Sequence, residues 1–381
     1  AERAAETIGW MVRDMSAQRV DGKAAFAASE DADSEGEEGR FYVWTEAEVE
    51  SLAGPDSTVF KQAYDVTATG NWEGHTILRR VSPFGPPGHE ARLAGVRDAL
   101  FRAREKRVRP GWDDKVLADW NGLAVAALAR CSVVFDQPAW LDRAREAFDF
   151  VLTDMKAAHG GVAHAWRFGR VTAPGLIEDQ AGMARAALAL YEVTGEGGYL
   201  AAAERLAHAA EAAFSDGHGG FFTTASDASD VPMTRPRSAA DNATPAGNGV
   251  MAEVLARLFH LTGDAAWRTR AEAVLTAFGG QADQLAGMPT LLAAADLLAE
   301  GASVVVVGDD PDALVKAGLR AADPGVVVLR QSGAGTLPAG HPAHGKTPGT
   351  HGAAAYVCRR NVCGRPITDA AVLSRALCTR L

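Results

Sequence analysis

Apolar residues recur every three or four positions through most of the first 300 residues, the spacing of a buried helix face. The clearest run, 113–130, places Val116, Leu123 and Leu128 on one face and gathers polar side chains at its start. Asp113 is expected to cap this helix by accepting hydrogen bonds from the free N–H groups of the first turn. A mostly buried helix that begins with acids, Trp and Asn is typical of a pocket wall.

A repeat of about 60 residues, each holding two predicted helices, follows this run. Gly160 and Gly219 are 59 residues apart, as are Trp140 and Tyr199, and Gly279 follows Gly219 by 60. The first helix of each pair is rich in Ala and Leu on most sides, as expected if the second helix wraps it. The pattern predicts helical hairpins.

Two arrangements of such hairpins are open. Around a circle they form an (α/α) toroid whose inner helices begin at a central cavity, and in a line they form a solenoid. The long connections 157–176 and 215–243 favour the toroid, because such loops cover a pocket. We therefore predict a mainly α protein of the (α/α)6-toroid type.

The pattern changes after residue 301. A run of β-branched residues at 304–307 predicts a buried strand. Further strands are predicted at 326–329 and 355–358, with helices ending near 322 and 380. We expect two domains, a partial toroid at 1–300 and a small α/β unit at 301–381.

Composition narrows the function. The chain has 381 residues, 47% of them hydrophobic, and a net charge of −10, which argues against nucleic acid and anionic membranes as partners. No apolar run is long enough to span a membrane, and the start of the chain is unlike a signal peptide. Four cysteines do not make a disulfide scaffold, so a cytoplasmic, reduced protein is expected, with unknown oligomeric state.

The most unusual segment is acidic, with six acids in the eleven residues 29–39. It resembles an EF-hand calcium loop only loosely, because Gly36 fits the sixth position but Tyr42 occupies the twelfth. A solvated loop, a pocket rim that includes Asp33 and Glu35, and a metal site all remain open.

Polar groups recur where the predicted inner helices begin, and in a ring they would converge on one mouth. Paired carboxylates in a semi-buried pocket suit acid/base chemistry on sugars, so the candidate catalytic residues are Asp114, Glu178 and Asp179. Candidate contacts for substrate are Asp33, Glu35, Asp119, Trp120, Asn121, Arg235, Asp241, Asn242 and Asn248. The alternative for the acids is plain helix capping, and for Trp120 a place in the core.

Cysteine and histidine positions suggest neither a metal nor a cofactor, and none is predicted. Cys358 and Cys363 are too far apart for a redox Cys-x-x-Cys pair, so packing thiols are expected, with zinc as the weaker alternative. Histidines 75, 164 and 218 fall in loops, which argues against an epimerase that carries His at its inner helices.

Several long motifs resemble one family, the spermatogenesis-associated protein 20 family of thioredoxin-domain-containing proteins. The matching segments are 31–44, 113–123, Ile177–Asp179, Arg235–Pro236, Asn242–Asn248 and Tyr356–Cys363. The resemblance implies an (α/α)6 toroid similar to N-acylglucosamine 2-epimerases and six-hairpin glycosidases, preceded by a thioredoxin-like domain. It also implies that this chain lacks that domain and the first toroid helices.

Two classes of function follow. The first is a carbohydrate-active enzyme, an epimerase/isomerase or a hydrolase, that acts on a small molecule with sugar as the candidate. The second is a non-catalytic module that binds a ligand or client for the thioredoxin-like domain.

Overall fold

The computed structural model describes residues 2–18, 24–228, 233–280, 284–331, 337–349, 352–360 and 362–378. These residues form two compact units. One holds 1–28 and 115–381, and the other holds 29–114. No helix among the described residues is long and apolar enough to cross a membrane.

Helices dominate both units. They are α1 Glu2–Asp14, α2 Glu46–Ala53, α3 Ser57–Tyr64, α4 Pro87–Arg104, α5 Ala118–Val134, α6 Pro138–Asp154, α7 Ile177–Thr194, α8 Gly197–Phe214, α9 Gly247–Thr262, α10 Ala265–Gly279, α11 Pro289–Glu300, α12 Asp312–Leu319 and α13 Ala370–Leu377. The strands are β1 Ser16–Gln18, β2 Ala24–Glu30, β3 Asp33–Ser34, β4 Glu37–Glu38, β5 Trp112–Leu117, β6 Ala165–Arg167, β7 Arg170–Ala173, β8 Ala302–Val307, β9 Val326–Gln331, β10 Ala354–Arg359 and β11 Val362–Cys363.

The predicted helical hairpins are present in the first unit. Helices α5, α7, α9 and α11 pack side by side, and α6, α8 and α10 each pair with the helix before them. Of the 18 residues of α7, 13 are buried, against 8 of 18 in its partner α8. This contrast defines inner and outer helices, as the Ala/Leu-rich first helices predict.

Three of the four inner helices, α5, α7 and α9, are held at their starts by an amide side chain in the first turn. The amide accepts from the backbone N–H of one residue and donates to the C=O of that residue, at 2.7–2.9 Å, in the pairs Asn121–Phe26, Gln180–Val162 and Asn248–Phe221. The amide thus completes the hydrogen bonding of a segment that lies outside the helix. The same contact occurs three times, so each of these helix starts is fixed to a neighbouring segment of the chain.

Glycine allows the inner helices α5 and α7 to approach closely. A Cβ on Gly122 would lie 2.6 Å from the backbone carbon of Gly182.

We expect Gly122→Ala to lower the free energy of unfolding by about 2 kcal/mol, because the helices must separate. Chemical denaturation measures it. Gly95→Ala is the matched control: Gly95 lies exposed on α4 with open space around it, so alanine should stabilise that helix slightly. Equal effects of the two substitutions would contradict the close approach.

The C-terminal residues form a four-stranded sheet in the order β11-β10-β8-β9, in which β8 and β9 are parallel. Helices α12 and α13 cover it, with a hydrophobic core that includes Val304, Val328 and Leu373. These residues belong to the same compact unit as the inner helices, and the predicted domain boundary at residue 300 stays a prediction.

The expectation of packing thiols at Cys358 and Cys363 is wrong, because the two form a disulfide. They face each other directly across the β10–β11 hairpin, a register that their five-residue spacing in the sequence does not reveal. The same bond removes both thiols as zinc ligands. The zinc alternative also rests on three histidines upstream of these cysteines in the sequence, His341, His344 and His351, of which His351 lies outside the described residues.

Asp113 does not cap a helix, because residues 112–117 form strand β5 and the helix begins only at Ala118. Val116 and Leu117 pair antiparallel with Trp166 and Ala165 of β6, and backbone pairing with a distant strand is invisible to a helical count. The strands of this region follow the order β1-β2-β5-β6-β7.

The unit 29–114 contains α2, α3 and α4 around a small core. Thr45 and Glu48 form a capping box at the start of α2. In the apolar run 41–44, only Trp44 takes part in strand pairing, through a single bridge to Thr76.

Candidate functional site

The starts of α5 and α7 bring two acids and a histidine together in the larger unit. Asp119 lies in the first turn of α5 and Asp179 in the first turn of α7. His164 lies between α6 and β6, and its backbone C=O accepts a hydrogen bond of 2.9 Å from Ala118, the first residue of α5. The polar atoms of Asp119, His164 and Asp179 all lie within 4.8 Å of one another.

Asp179 is the centre of this cluster. Its side chain is fully buried, and both carboxylate oxygens accept hydrogen bonds. Oδ2 accepts from the N–H of Leu176 at 2.7 Å, and Oδ1 accepts from the N–H of Asp119 at 3.0 Å. His164 Nδ1 lies 3.0 Å from Oδ1 and 3.2 Å from Oδ2. A buried carboxylate with this many N–H donors is held in one orientation.

His164 is oriented by this contact. The hydrogen bond and negative charge of Asp179 raise the pKa of His164, and burial opposes them. Because Nδ1 is turned to Asp179, Nε2 is the ring nitrogen that can exchange a proton with a ligand.

Asp119 is prepared to hold a proton. Burial, together with the charge of Asp179, raises the pKa of Asp119 to about 6. Its Oδ1 is buried and has no hydrogen-bond partner among the described residues. A carboxyl group in such surroundings keeps its proton to a higher pH than an ordinary aspartate, up to about pH 6, and can act as an acid.

Glu178 extends the cluster toward α9. Its Oε1 accepts from the N–H of Gly247 at 3.4 Å, and its buried Oε2 has no partner among the residues that the structure describes. Burial raises the pKa of Glu178 as well. The start of α9 lies close to the start of α7, since a Cβ on Gly247 would lie 2.9 Å from the backbone nitrogen of Glu178.

The cluster is compact enough for a metal ion, but its hydrogen bonds fit one poorly. Both oxygens of Asp179 already accept N–H groups, and Nδ1 of His164 is turned to Asp179. Nε2 of His164 and the open oxygen of Asp119 leave two ligands, fewer than the three or four typical of a protein site. The expectation of no metal and no cofactor stays a prediction.

Of the predicted substrate contacts, Asp119 belongs to this cluster. Trp120 follows Asp119 in the chain, and its side chain is 43% exposed. Asn121 and Asn248 are 1% exposed and bind backbone, so their predicted contact with substrate gains no support from their hydrogen bonds.

The remaining predicted residues near α9 have contacts of their own. Asp241 accepts from the N–H groups of Ala246 and Thr290, both at 2.7 Å, and so joins the starts of α9 and α11. Arg235 donates to the backbone oxygens of Thr224 and Ala213 and holds its loop. Asn242 is exposed and accepts from the N–H of Ala243. Their roles with substrate stay predictions.

Three predicted residues belong to the unit 29–114. Asp114 lies on β5, not at a helix start, and Asp33 is exposed on β3. Glu35 pairs with Arg40 at 3.2 Å and lines an open cleft of that unit, as expected of a pocket rim.

Sequence reasoning missed His164 because it falls in a loop. The contact that places it there is visible only in the structure: two residues earlier, the N–H of Val162 donates to the amide of Gln180, next to Asp179. A loop fixed to the start of an inner helix places its neighbouring side chains there too.

The comparisons with known proteins agree with the architecture. Residues 96–282 match the family described as glycosyl hydrolase family 76, a span that contains the whole cluster. Solved structures with a likeness include the family 76 α-mannanase of Bacteroides thetaiotaomicron, with 15% identity, 72% of this chain and 69% of that chain covered and a TM-score of 0.37. The cellobiose 2-epimerase of Bacillus thermoamylovorans has 15% identity, coverage of 43% and 44% and a TM-score of 0.37. The family match, together with the pairs of inner and outer helices, confirms the predicted (α/α)6-toroid class.

The particular relatives are those expected from the motifs. Human spermatogenesis-associated protein 20 is 28% identical over 92% of this chain and 52% of its own length. The rat protein of that name is 28% identical over 76% of this chain and 42% of its own length. The resemblance to this family is confirmed, and the chain spans about half the length of the curated relatives it matches.

Proposed function

We propose that the starts of α5 and α7 form an acid/base site for a sugar. The observation that carries the proposal is the buried carboxylate of Asp179, which orients His164 beside Asp119, a carboxyl group with a pKa of about 6. A histidine with one free nitrogen and a carboxyl group whose pKa is raised to about 6 can both exchange protons close to neutral pH.

In this proposal Asp179 positions and does not react. His164 Nε2 removes a proton from the substrate, and Asp119 or Glu178 donates one to a substrate oxygen. The exposed face of Trp120 supports the sugar ring by stacking. These roles amount to proton transfer at a carbon next to the anomeric centre, which is the reaction that epimerases and isomerases share.

His164 changes the balance between the candidate reactions. The absence of His from the inner-helix starts in the sequence argues against an epimerase. In the structure, however, Nδ1 of His164 lies 3.0 Å from Oδ1 of Asp179, which is at the start of α7. Hydrolysis is the second candidate, supported by the match of residues 96–282 to glycosyl hydrolase family 76. A non-catalytic ligand- or client-binding module is the alternative to both.

Turnover in D2O separates these possibilities. We expect the protein to place deuterium at C2 of a reducing sugar from a panel of mono- and disaccharides, followed by proton NMR. Release of new reducing ends from mannan oligosaccharides in the same samples would indicate hydrolysis instead. His164→Gln should lower turnover about 100-fold or more, because the proton acceptor is lost.

The matched control is His218→Gln, which changes an exposed loop histidine in the same unit and should leave turnover unchanged. Sugar binding without turnover would contradict the enzyme and favour the module. Full activity of folded His164→Gln would contradict the assigned base.

A further inference from the structure

A second cavity, of 440 Å³, lies along the inner helices away from the acid/base cluster. It is bounded by α5, α7 and α9 and by the segment from Leu319 to Pro324. Arg130 is eleven residues beyond Asp119 on α5, about 16 Å along the helix, and Arg185 is six beyond Asp179 on α7, about 9 Å. The volume is within the usual range for small-molecule sites.

The charged groups of this cavity are unbalanced. Three arginines and two glutamates are its charged lining residues in the described part of the chain, namely Arg130, Arg185, Arg257, Glu192 and Glu253. With all five ionised, one positive charge is left over. The rest of the lining is mostly alanine, leucine, valine and proline.

Both glutamates are already committed to other groups. Glu253 lies 2.8 Å from Nε of Arg257 and 3.4 Å from Nε of Arg185. Glu192 lies 3.1 Å from Nη1 of Arg257 and accepts at 2.9 Å from the buried N–H of Val328. Neither glutamate forms an ion pair with Arg130 within 4.0 Å, although the negative charge of Glu192 acts on Arg130 from a greater distance.

Arg257 is committed as well, while Arg130 is not. Arg257 uses Nε and Nη1 for the glutamates and donates from Nη2 to Pro324 O at 3.0 Å. Arg130 donates from Nη2 to Ala321 O at 3.1 Å, and the described residues offer it no carboxylate within 4.0 Å. A guanidinium has five N–H donors, so most of those on Arg130, which lines the cavity, have no hydrogen-bond partner among the described residues.

We propose that this cavity binds the carboxylate or phosphate group of a small organic anion, with Arg130 as the principal ligand and Arg185 beside it. The planar fork of Arg130 matches two oxygens of such a group, and the surplus positive charge favours an anion over a neutral molecule. The alanine and leucine side chains of α5 cover the carbon skeleton. Because the wall at 319–324 comes from the C-terminal α/β residues, the ligand joins them to the inner helices.

Calorimetric titration at constant ionic strength tests the site. The probes are inorganic phosphate, glucose 6-phosphate and glucuronate, with glucose as the uncharged comparison. We expect saturable binding of at least one anionic probe and none of glucose. The difference between glucose 6-phosphate and glucuronate tells which oxyanion is preferred.

Substitutions locate the binding. Arg130→Gln should raise the dissociation constant about tenfold or more. Arg130→Lys keeps the charge but loses the planar fork, so it should raise the dissociation constant less. Neither leaves a carboxylate without its partner, so both should fold. Arg268→Gln removes the same charge from an exposed pair with Glu272 and should leave binding unchanged.

Two results would overturn the proposal: no saturable binding of any anionic probe, or binding that is equally strong in folded Arg130→Gln. Asp119→Asn should leave anion binding intact, so this site and the acid/base site can fail separately.

Discussion

Asp179→Asn is expected to lower the free energy of unfolding by about 3 kcal/mol at pH 7. The fully buried carboxylate accepts N–H groups on both oxygens, from Leu176, Asp119 and His164. An asparagine turns an NH2 group toward at least one of these donors, so buried hydrogen bonds are lost. Urea denaturation followed by circular dichroism measures the change.

Glu178→Gln is the matched control, one residue away and with the same change of charge. Burial raises the pKa of Glu178, so its ionised form is disfavoured and glutamine should leave stability unchanged or higher. Equal losses in the two variants would show that any change at the start of α7 is harmful. That result would contradict the claim that the hydrogen bonds of the Asp179 carboxylate stabilise the fold.

Asp119→Asn is expected to make the protein more stable above pH 6, by about 2 kcal/mol at pH 8. The carboxyl group has a pKa near 3.9 in an unfolded chain, and burial with the charge of Asp179 raises it to about 6 in the folded protein. The folded state therefore binds more protons between these values, and the contribution of Asp119 to stability falls as pH rises through them. Asparagine does not ionise and escapes this loss.

Denaturation of the wild type and Asp119→Asn at several pH values measures the difference. It should be near zero below about pH 4, grow between about pH 4 and 6 and then level off. A difference that does not change with pH would show that Asp119 ionises as an ordinary surface acid. The comparison between variants is needed because Glu90, whose pKa is lowered to about 2, works in the opposite direction.

The hairpins could be predicted because their signals are local. Inner helices such as α7 are apolar on most sides, and the glycines that end each repeat return at intervals of 59 and 60 residues. The division at 29–114 and the start of α5 could not, because both depend on pairing between distant segments. Residues 112–117 carry acids ahead of a helical run, yet the backbone of Val116 pairs with Trp166.

The site could be predicted only in part, because some of its features are local in the sequence and others depend on contacts between distant segments. Asp179 and Asp119 follow from their places at helix starts, but which acid orients and which holds a proton depends on burial and neighbours. His164 depends on a loop that returns to α7 through Val162 and Gln180. The disulfide between Cys358 and Cys363 likewise depends on hairpin register.

The raised pKa of Asp119 is the claim on which the acid/base site depends, and carbon-13 NMR of the aspartate carboxyl groups measures it directly. We predict one resonance that titrates with a midpoint near pH 6 and is missing from Asp119→Asn. If every aspartate carboxyl group titrates near its ordinary value of about 4, Asp119 is already ionised at pH 6 and the proposed proton donor does not exist.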